Sequence, residues 1–440
     1  MSELPANLNV ANPVLGTAES STDILGRLGP GLITGAADDD PSGIATYSQV
    51  GAQFGFGMLW TMLFSFPLMA AIQEICGRLG RITGVGVAEN LRQHYPKPLG
   101  YGLVLLLCVA NVFNLGADIS AMGAATQLVF GGSMNIYAVL LGIVSLLLQI
   151  YVPYHKYIHY LKWLTLVLFA YVATAFVVHV PWIKAIRATI LPALSFTAAY
   201  WMALVAVLGT TISPYLFFWQ TSQEAQDVRI NKGEFPLKKK PSQAFAQFRR
   251  IAIDTRVGMA FSNLVAFFII LTTAVTLHPA GKGNEIQSAA DAAKALQPLA
   301  GKLAFGLFAV GVIGTGMLAV PVLAGSVAYA VSETFRWRAG LERKRRQAPK
   351  FYGVLSAAIL IGVLLNFIGI DPIRALYWSA VLNGIVAVPL MLTLMLMSAK
   401  KAVVGEFVLP PYLRFMGWLA TAIMLFASLG FLASALYSRN

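Results

Sequence analysis

The sequence predicts an all-α polytopic membrane protein with about eleven transmembrane helices. Its mean hydropathy is +0.69, and 12% of its residues are charged, against about 25% in soluble domains. Apolar runs recur along the chain at close to the roughly 20 residues that a helix needs to cross a bilayer. A transmembrane barrel would show alternating segments of about ten residues, and runs such as "LVAFFIILTTAVTL" do not alternate.

Eleven apolar runs divide the chain into predicted spans, numbered here in chain order. They cover residues 29–50, 57–78, 100–129, 134–153, 160–180, 197–222, 252–278, 301–333, 351–369, 372–398 and 412–436. Residues 1–28 are polar and lack the pattern of a signal peptide, which predicts a disordered cytoplasmic tail. Residues 29–440 are predicted to form one transmembrane domain, because the longest connections, 223–251 and 279–300, are only loop-sized.

Basic residues concentrate in alternate connections. Those after spans two, four, six, eight and ten hold most of the 32 Lys and Arg residues. The positive-inside rule therefore places the N-terminus in the cytoplasm, and an odd number of spans places the C-terminus outside. We expect a multi-pass protein of the cell's inner membrane whose net charge of +13 reflects this topology in the lipid bilayer, with no nucleic-acid partner. The oligomeric state is left open.

Span one carries the segment "GAADDDPSGIATY", residues 35–47. Pro41 removes a backbone donor and clashes with the preceding turn, so the helix is predicted to break there. Unwound backbone at membrane depth must be buried in protein or line a watery cavity, and a carboxylate at that depth indicates an ion path. Asp40 abuts the break and is the predicted ion ligand. For Asp38 and Asp39, a position at an aqueous end of the span is an open alternative.

Span six breaks in a matching position, within "GTTISPYLFF" at Ser213-Pro214. Because the two breaks lie five spans apart, spans one and six run in opposite directions, as in an inverted repeat of five plus five helices. Matched breaks in such repeats indicate a substrate site near the bilayer midplane. Pro41 and Pro214 are the predicted hinges, although either proline alone would also fit a plain kink. The repeats are predicted at 29–180 and 197–398, with an extra helix at 412–436.

The polar groups near these breaks are rich in oxygen, which suits a hard or borderline cation. The five histidines all fall in or near loops without metal-ligand spacing on a buried face, so no zinc site of the usual kind is predicted. Asp118 in span three is a candidate proton carrier, with a gate or a helix–helix hydrogen bond as alternatives. Asn383 in span ten is a packing residue by default and a cavity-lining residue as the alternative.

These segments, together with "RLGRITGVGVAENLRQHYP", "RRIAIDTRVGMAFSNLVAF" and "DAAKALQPLAGKLAFGLFAVGVIGTGM", resemble the natural resistance-associated macrophage protein (Nramp) family of divalent metal transporters. The resemblance extends over nearly the whole chain and fits a divergent bacterial-type member. It implies a leucine-transporter-like fold, with inverted repeats of five helices plus one extra helix. It also implies import of Mn²⁺, Fe²⁺ and similar ions coupled to protons, with the metal as substrate and no cofactor.

The resemblance also implies site residues. The family's Asp-Pro-Gly-Asn motif stands here as residues 40–43, so that the acid matches and Gly43 replaces the ligating asparagine. The family's Ala-x-x-Met-Pro-His motif stands as residues 210–215. The two correspondences imply a metal site at Asp40, Gly43, the carbonyl of Thr210 and the hydroxyl of Ser213. Tyr215, at the histidine position, is a candidate cavity-lining residue.

Asp118 matches the family's proton-pathway aspartate. The family acids seven residues before it and three after it are Asn111 and Ala121 here, which leaves a thinner proton path.

The predicted function is secondary active import of a divalent metal cation, Mn²⁺ or a related transition metal, with H⁺ as the coupling ion. A thioether favours transition metals, so its replacement by Ser213 leaves transport of Mg²⁺ or of divalent cations broadly, without proton coupling, as an alternative. A sodium-coupled carrier of small solutes is a further alternative within the same architecture. The sequence shows no nucleophile–base pair, and an enzyme is therefore not predicted.

Overall fold

The computed structural model describes residues 34–35, 37–152, 164–231, 233–278, 286 and 288–437. Nine helical runs among these residues are long and apolar enough to cross a membrane, and the same residues contain no strand. The nine runs confirm predicted spans two, three, four and six to eleven. The predicted tail, together with parts of spans one and five, lies outside the described residues, so the proposed division into tail and repeats stays a prediction.

The helices are numbered in chain order. They are α1 Pro41–Phe54, α2 Trp60–Thr83, α3 Val87–His94, α4 Lys97–Phe130, α5 Met134–Tyr151, α6 Phe169–Val177, α7 Trp182–Ile190, α8 Ala198–Thr211, α9 Pro214–Ile230, α10 Ala244–Thr276, α11 Ala289–Ala293, α12 Gln297–Ala300, α13 Ala304–Thr334, α14 Pro349–Leu365, α15 Pro372–Ala399, α16 Lys401–Val404 and α17 Pro411–Tyr437. The described part of span five is a short apolar stretch, residues 166–177.

The connection predicted at 223–251 is shorter in the structure. Helix α9 continues to Ile230, and α10 begins at Ala244. The predicted connection is too long because polar residues do not end the helix here. Gln223 and Glu224 are buried inside the protein, and α9 continues through them. A helix can carry buried polar side chains when neighbouring parts of the protein provide their hydrogen-bond partners.

Helices that carry the two breaks occupy the centre of the bundle. In the run formed by α8 and α9, 89% of the most apolar window is buried, against 22% for α5 and 28% for α17. Helix α1 packs mainly on α10, α8 packs on α15, and α4 packs on both α13 and α15. The broken segments are therefore shielded from lipid by their neighbours, as unwound backbone at this depth requires.

Glycines hold both broken helices against their neighbours. A Cβ atom on Gly35, before the first break, would lie 2.3 Å from the carbonyl carbon of Gly258 in α10. A Cβ atom on Gly209, before the second break, would lie 2.1 Å from the carbonyl oxygen of Ala380 in α15 and 2.4 Å from the amide nitrogen of Gly384. The backbones touch at both places, so no side chain fits there.

Buried acids at the predicted cytoplasmic ends are paired with arginine. The Glu74 carboxylate lies 2.9 Å from Arg78 and 3.1 Å from Arg256. The Glu224 carboxylate lies 2.5 Å from Arg250. A buried charge is tolerated when it is paired. Glu74 and Glu224 therefore hold neighbouring helices together through ion pairs, and they are not candidates for the cation site.

Candidate functional site

The first break lies where the sequence predicts it. Asp38 is helical, Asp40 is extended with φ −69° and ψ 169°, and α1 begins at Pro41. Asp40 is the N-cap of α1, since its Oδ1 atom accepts a 2.7 Å hydrogen bond from the Gly43 amide. Proline suits the first helical position because a backbone N–H there would have no acceptor within the helix. Asp40 therefore both caps α1 and lies in the unwound segment that precedes it.

The second break is also confirmed. Helix α8 ends at Thr211, Ser213 is extended, and α9 begins at Pro214. The Ser213 hydroxyl donates back to the carbonyl oxygens of Thr210, at 2.7 Å, and Gly209, at 3.0 Å. The carbonyl of Thr210, a predicted ligand, thus already accepts one hydrogen bond and keeps a second lone pair.

The two breaks meet inside the protein. The Tyr215 hydroxyl, on the first turn of α9, donates a 3.2 Å hydrogen bond to the carbonyl of Ala37, just before the first break. A Cβ atom on Gly43 would lie 3.2 Å from the Thr210 hydroxyl oxygen. The structure therefore brings the predicted residues of both breaks into one buried place.

Three hydrogen-bond donors reach the Asp40 carboxylate, which is 1% exposed, while the single proton of a fourth neighbour, the Tyr215 hydroxyl, is donated to Ala37. The Asp40 Oδ1 atom accepts from the Gly43 amide and from the Ser42 hydroxyl at 2.6 Å. Its Oδ2 atom accepts from the Asn114 side-chain amide at 3.1 Å, and the Tyr215 hydroxyl lies at 3.5 Å. A carboxylate offers about four lone-pair positions, so Oδ2 keeps one direction in which a cation can bind.

Asn114 is a site residue that the sequence reasoning missed. It lies in α4, and its Oδ1 atom accepts a 2.7 Å hydrogen bond from the Ser379 hydroxyl in α15. The available signal was the spacing of Asn111, Asn114 and Asp118, which places three polar side chains along one face of a helix.

Asp38 and Asp39 share a hydrogen-bond partner in α10 that Asp40 does not have. They are 0% and 1% exposed, so the alternative that they lie at an aqueous end of the span is wrong. The Ser262 hydroxyl of α10 lies 2.7 Å from Asp38 Oδ2 and 3.0 Å from Asp39 Oδ1. The three consecutive acids thus face two different helices, α10 and α4.

Asp118 and Asn383 are both buried, at 0% and 1% exposure. The Asn383 side chain has no hydrogen-bond partner among the described residues, whereas the Asp118 carboxyl lies near the backbone amide of Ser42. Asp118 interacts electrostatically with Asp40, which places it next to the break. Their predicted roles, in a proton path and in lining the cavity, stay predictions.

A family model for "Natural resistance-associated macrophage protein-like" proteins matches residues 31–434 of the chain. The chain belongs to the Nramp family. It is 25% identical over 410 residues to a divalent metal cation transporter MntH of Klebsiella pneumoniae strain 342, covering 91% of this chain and 92% of the relative. It is 26% identical over 413 residues to an MntH of Yersinia pestis strain Pestoides F, covering 91% and 93%.

The fold agrees with that of solved Nramp-type structures. A crystal structure of an Eremococcus coleocola manganese transporter superimposes with a TM-score of 0.74 at 17% identity, covering 98% of this chain and 90% of that one. Mhp1, a nucleobase-cation-symport-1 family transporter, superimposes with a TM-score of 0.56 at 14% identity, covering 93% of each chain. The predicted fold class, a leucine-transporter-like bundle with broken helices one and six, is confirmed.

The candidate site offers few charged groups to a metal ion. In the part of the chain that the structure describes, no group of three or more His, Cys, Asp or Glu side chains could hold a metal ion. Gly43 has no side chain to replace the ligating asparagine of the Nramp motif. Asp40 would therefore bind a cation together with neutral oxygen groups from both breaks.

Proposed function

We propose that this protein is a secondary active transporter that imports a divalent metal cation, with Mn²⁺ or a related transition metal as its substrate. The observation that carries the proposal is the buried carboxylate of Asp40 at a helix break that meets a second break. An uncompensated carboxylate at the bilayer centre costs on the order of 3 kcal/mol on insertion scales, and a bound cation removes that cost. The named relatives, divalent metal cation transporters and a manganese transporter, support this substrate class.

Binding of the ion would use groups from both half-helix pairs. Asp40 supplies the charge through the free direction of Oδ2, while the Thr210 carbonyl and the Ser213 hydroxyl supply neutral oxygen. Pro41 and Pro214 lack the amide that would continue the preceding helix, so the half-helices can pivot there. Alternating access to the site then follows from rocking of these segments around the ion. We place the N-terminus in the cytoplasm, the C-terminus outside and the protein in the inner membrane.

Proton coupling through Asp118 belongs to the same proposal. The carboxyl group is fully buried and interacts electrostatically with Asp40. Arrival of a divalent cation at Asp40 would therefore favour release of a proton from Asp118, because like charges repel strongly in a buried site. Asn111 occupies a position where the family has an acid, and it donates a 3.3 Å hydrogen bond to the carbonyl of Leu323.

A second candidate is a transporter of Mg²⁺ or of divalent cations in general, without proton coupling. Two observations favour it. The contacts of Asp40 come from hydroxyl and amide groups, and Ser213 stands where the family has a thioether. Oxygen ligands do not select against hard cations. The predicted sodium-coupled carrier of small solutes gains no such support, since Asp40 would repel a carboxylate substrate.

Uptake into proteoliposomes tests the proposal, with Mn²⁺, Cd²⁺, Mg²⁺ and Ca²⁺ supplied separately. We expect saturable uptake of Mn²⁺ and Cd²⁺ that Asp40→Ala abolishes. Asp291→Ala, which removes a half-exposed acid in α11, is the matched control and should leave uptake unchanged. Transport that survives Asp40→Ala would refute the site, and Mg²⁺ uptake equal to Mn²⁺ uptake would favour the second candidate.

A further inference from the structure

A cavity of about 570 Å³ lies at the end of α1 remote from Asp40. Its walls come from three segments, which include helix ends and α7 and which the charge pattern places at the outer face of the membrane: residues 54–57, 179–188 and 274–278. We call it the outer cavity. Since α1 has 14 residues and a helix rises 1.5 Å per residue, the outer cavity lies about 20 Å from Asp40. It is therefore a separate place in the molecule.

His278 lines the outer cavity, and its hydrogen bond favours the tautomer that can bind a metal through Nε2. Its Nδ1 atom lies 2.9 Å from the carbonyl oxygen of Ala52 in the last turn of α1. A carbonyl can only accept a hydrogen bond, so Nδ1 carries the proton, and in the neutral ring Nε2 carries the lone pair. Histidines that ligate metals usually have their other ring nitrogen fixed in this way by a carbonyl or carboxylate.

Gly55 keeps the Nε2 atom of His278 accessible. A Cβ atom at this position would lie 3.2 Å from Nε2 and 3.1 Å from Cδ2. Gly55 has φ +57°, a left-handed conformation that favours glycine over residues with side chains. A glycine therefore stands at a neighbouring position where a side chain would crowd the ligand atom.

His179 provides a second imidazole in the same cavity. It follows α6, and it is 99 residues away from His278 in sequence, which is why spacing could not reveal the pair. The cavity also receives the C-terminal end of α1, whose partial negative charge favours a cation. Lys184 opposes binding, although its ammonium group is turned toward the Phe56 ring, 5.8 Å from the centroid.

We propose that the outer cavity is a second metal site, in which His179 and His278 bind a borderline transition-metal ion such as Cu²⁺, Zn²⁺ or Ni²⁺. Imidazole is a preferred ligand of these ions, whereas the oxygen groups at Asp40 also accept harder ones. A metal held by both histidines would join the end of α10 to the segment that precedes α7, beside the last turn of α1. Occupation of the outer cavity is then expected to slow transport through the Asp40 site.

Electron paramagnetic resonance of bound Cu²⁺ tests the proposal without using transport. The full-length protein is purified without a histidine tag and carries Asp40→Ala, which removes the ligand of the proposed transport site. One equivalent of Cu²⁺ should show hyperfine coupling to imidazole nitrogen. His179→Ala combined with His278→Ala should remove this coupling and weaken Zn²⁺ binding in equilibrium dialysis about tenfold or more, as loss of metal-ligand support does.

The matched control is the double substitution of His155 and His159, which lie in the connection predicted on the opposite face of the membrane. It should retain the nitrogen coupling. His179→Ala alone tests a chain in which the hydrogen bond between His278 and Ala52 is intact, and should lower the number of coupled nitrogens by one. Nitrogen coupling that persists without His179 and His278, or that is absent from the parent protein, would overturn the proposal. Because Asp40 is already replaced, neither result depends on the proposed transport function.

Discussion

Asn114 donates a 3.1 Å hydrogen bond to the Oδ2 atom of Asp40, the oxygen that keeps a free direction for a cation. Asn114 is fixed in turn by Ser379, whose hydroxyl donates to Asn114 Oδ1 at 2.7 Å. Helices α4 and α15 thereby orient a carboxylate that belongs to the first span. Under the proposed function, in which Asp40 binds the transported cation, Asn114 is a positioning residue that acts on the substrate through Asp40.

Asn114→Ala should therefore raise the KM for metal uptake. Hydrogen bonds to charged groups contribute about 1.5–3 kcal/mol, which corresponds to roughly a tenfold or larger change in affinity. Initial uptake rates over a range of Mn²⁺ concentrations measure the effect, and Ser379→Ala should give a smaller shift in the same direction. Asn111→Ala is the control, since Asn111 is equally buried in α4 and bonds to Leu323. Equal KM values in all four proteins would contradict the assignment.

Tyr215→Phe should lower the maximal rate of uptake. The hydroxyl joins α9 to the carbonyl of Ala37 across both breaks, and a hydrogen bond of this kind contributes about 1 kcal/mol, or about fivefold in a rate or equilibrium constant. Tyr101→Phe, at a half-exposed tyrosine stacked on Phe335, should leave the rate unchanged. If both variants transport at the parental rate, the link between the breaks does not contribute to the cycle.

Asp118→Asn tests proton coupling. In proteoliposomes with a pH-sensitive dye inside, Mn²⁺ uptake by the parent protein should acidify the lumen. The amide cannot carry the proton, so acidification should disappear in the variant. Asn383→Ala is the comparison, because it changes another buried polar residue without removing a titratable group. Acidification of normal size in Asp118→Asn would exclude this residue from the proton path.

Gly209→Ala should destabilise the protein. The new methyl group would overlap the Ala380 carbonyl, which lies 2.1 Å from the Cβ position, and such overpacking costs about 1–3 kcal/mol. Gly306→Ala is the matched control in α13, where nothing lies within 4 Å of the Cβ position. The control should gain about 0.5–1 kcal/mol, because alanine favours a helix over glycine. Thermal unfolding in detergent compares them, and equal Tm values would show that the α8–α15 contact tolerates a side chain.

The breaks at Asp40-Pro41 and Ser213-Pro214 were predictable because proline imposes a local constraint that tertiary structure cannot remove. The predicted span six ends before the helix does, because hydropathy alone does not recognise a helical turn of buried polar residues such as Gln223 and Glu224. Length and apolarity sufficed for the other long spans.

The supporting contacts of the site could not be predicted in the same way. Ser379 lies 265 residues from Asn114, and uncharged polar residues in a span usually serve packing. Asp38 and Asp39 illustrate the same limit, since only the folded structure shows that both contact Ser262 in α10. Proximity of distant side chains is set by helix packing, which a single sequence does not specify.

The glycine contacts of Gly35 with Gly258 and of Gly209 with Gly384 limit how the two hinges can operate. Where backbones touch without intervening side chains, separation would leave an empty gap and forfeit close contact on both surfaces. Each half-helix is thus coupled mechanically to a full-length neighbour, the first to α10 and the second to α15. We therefore expect each half-helix to move together with its neighbour, so that a residue on α10 or α15, far from the candidate site, affects the rate of transport.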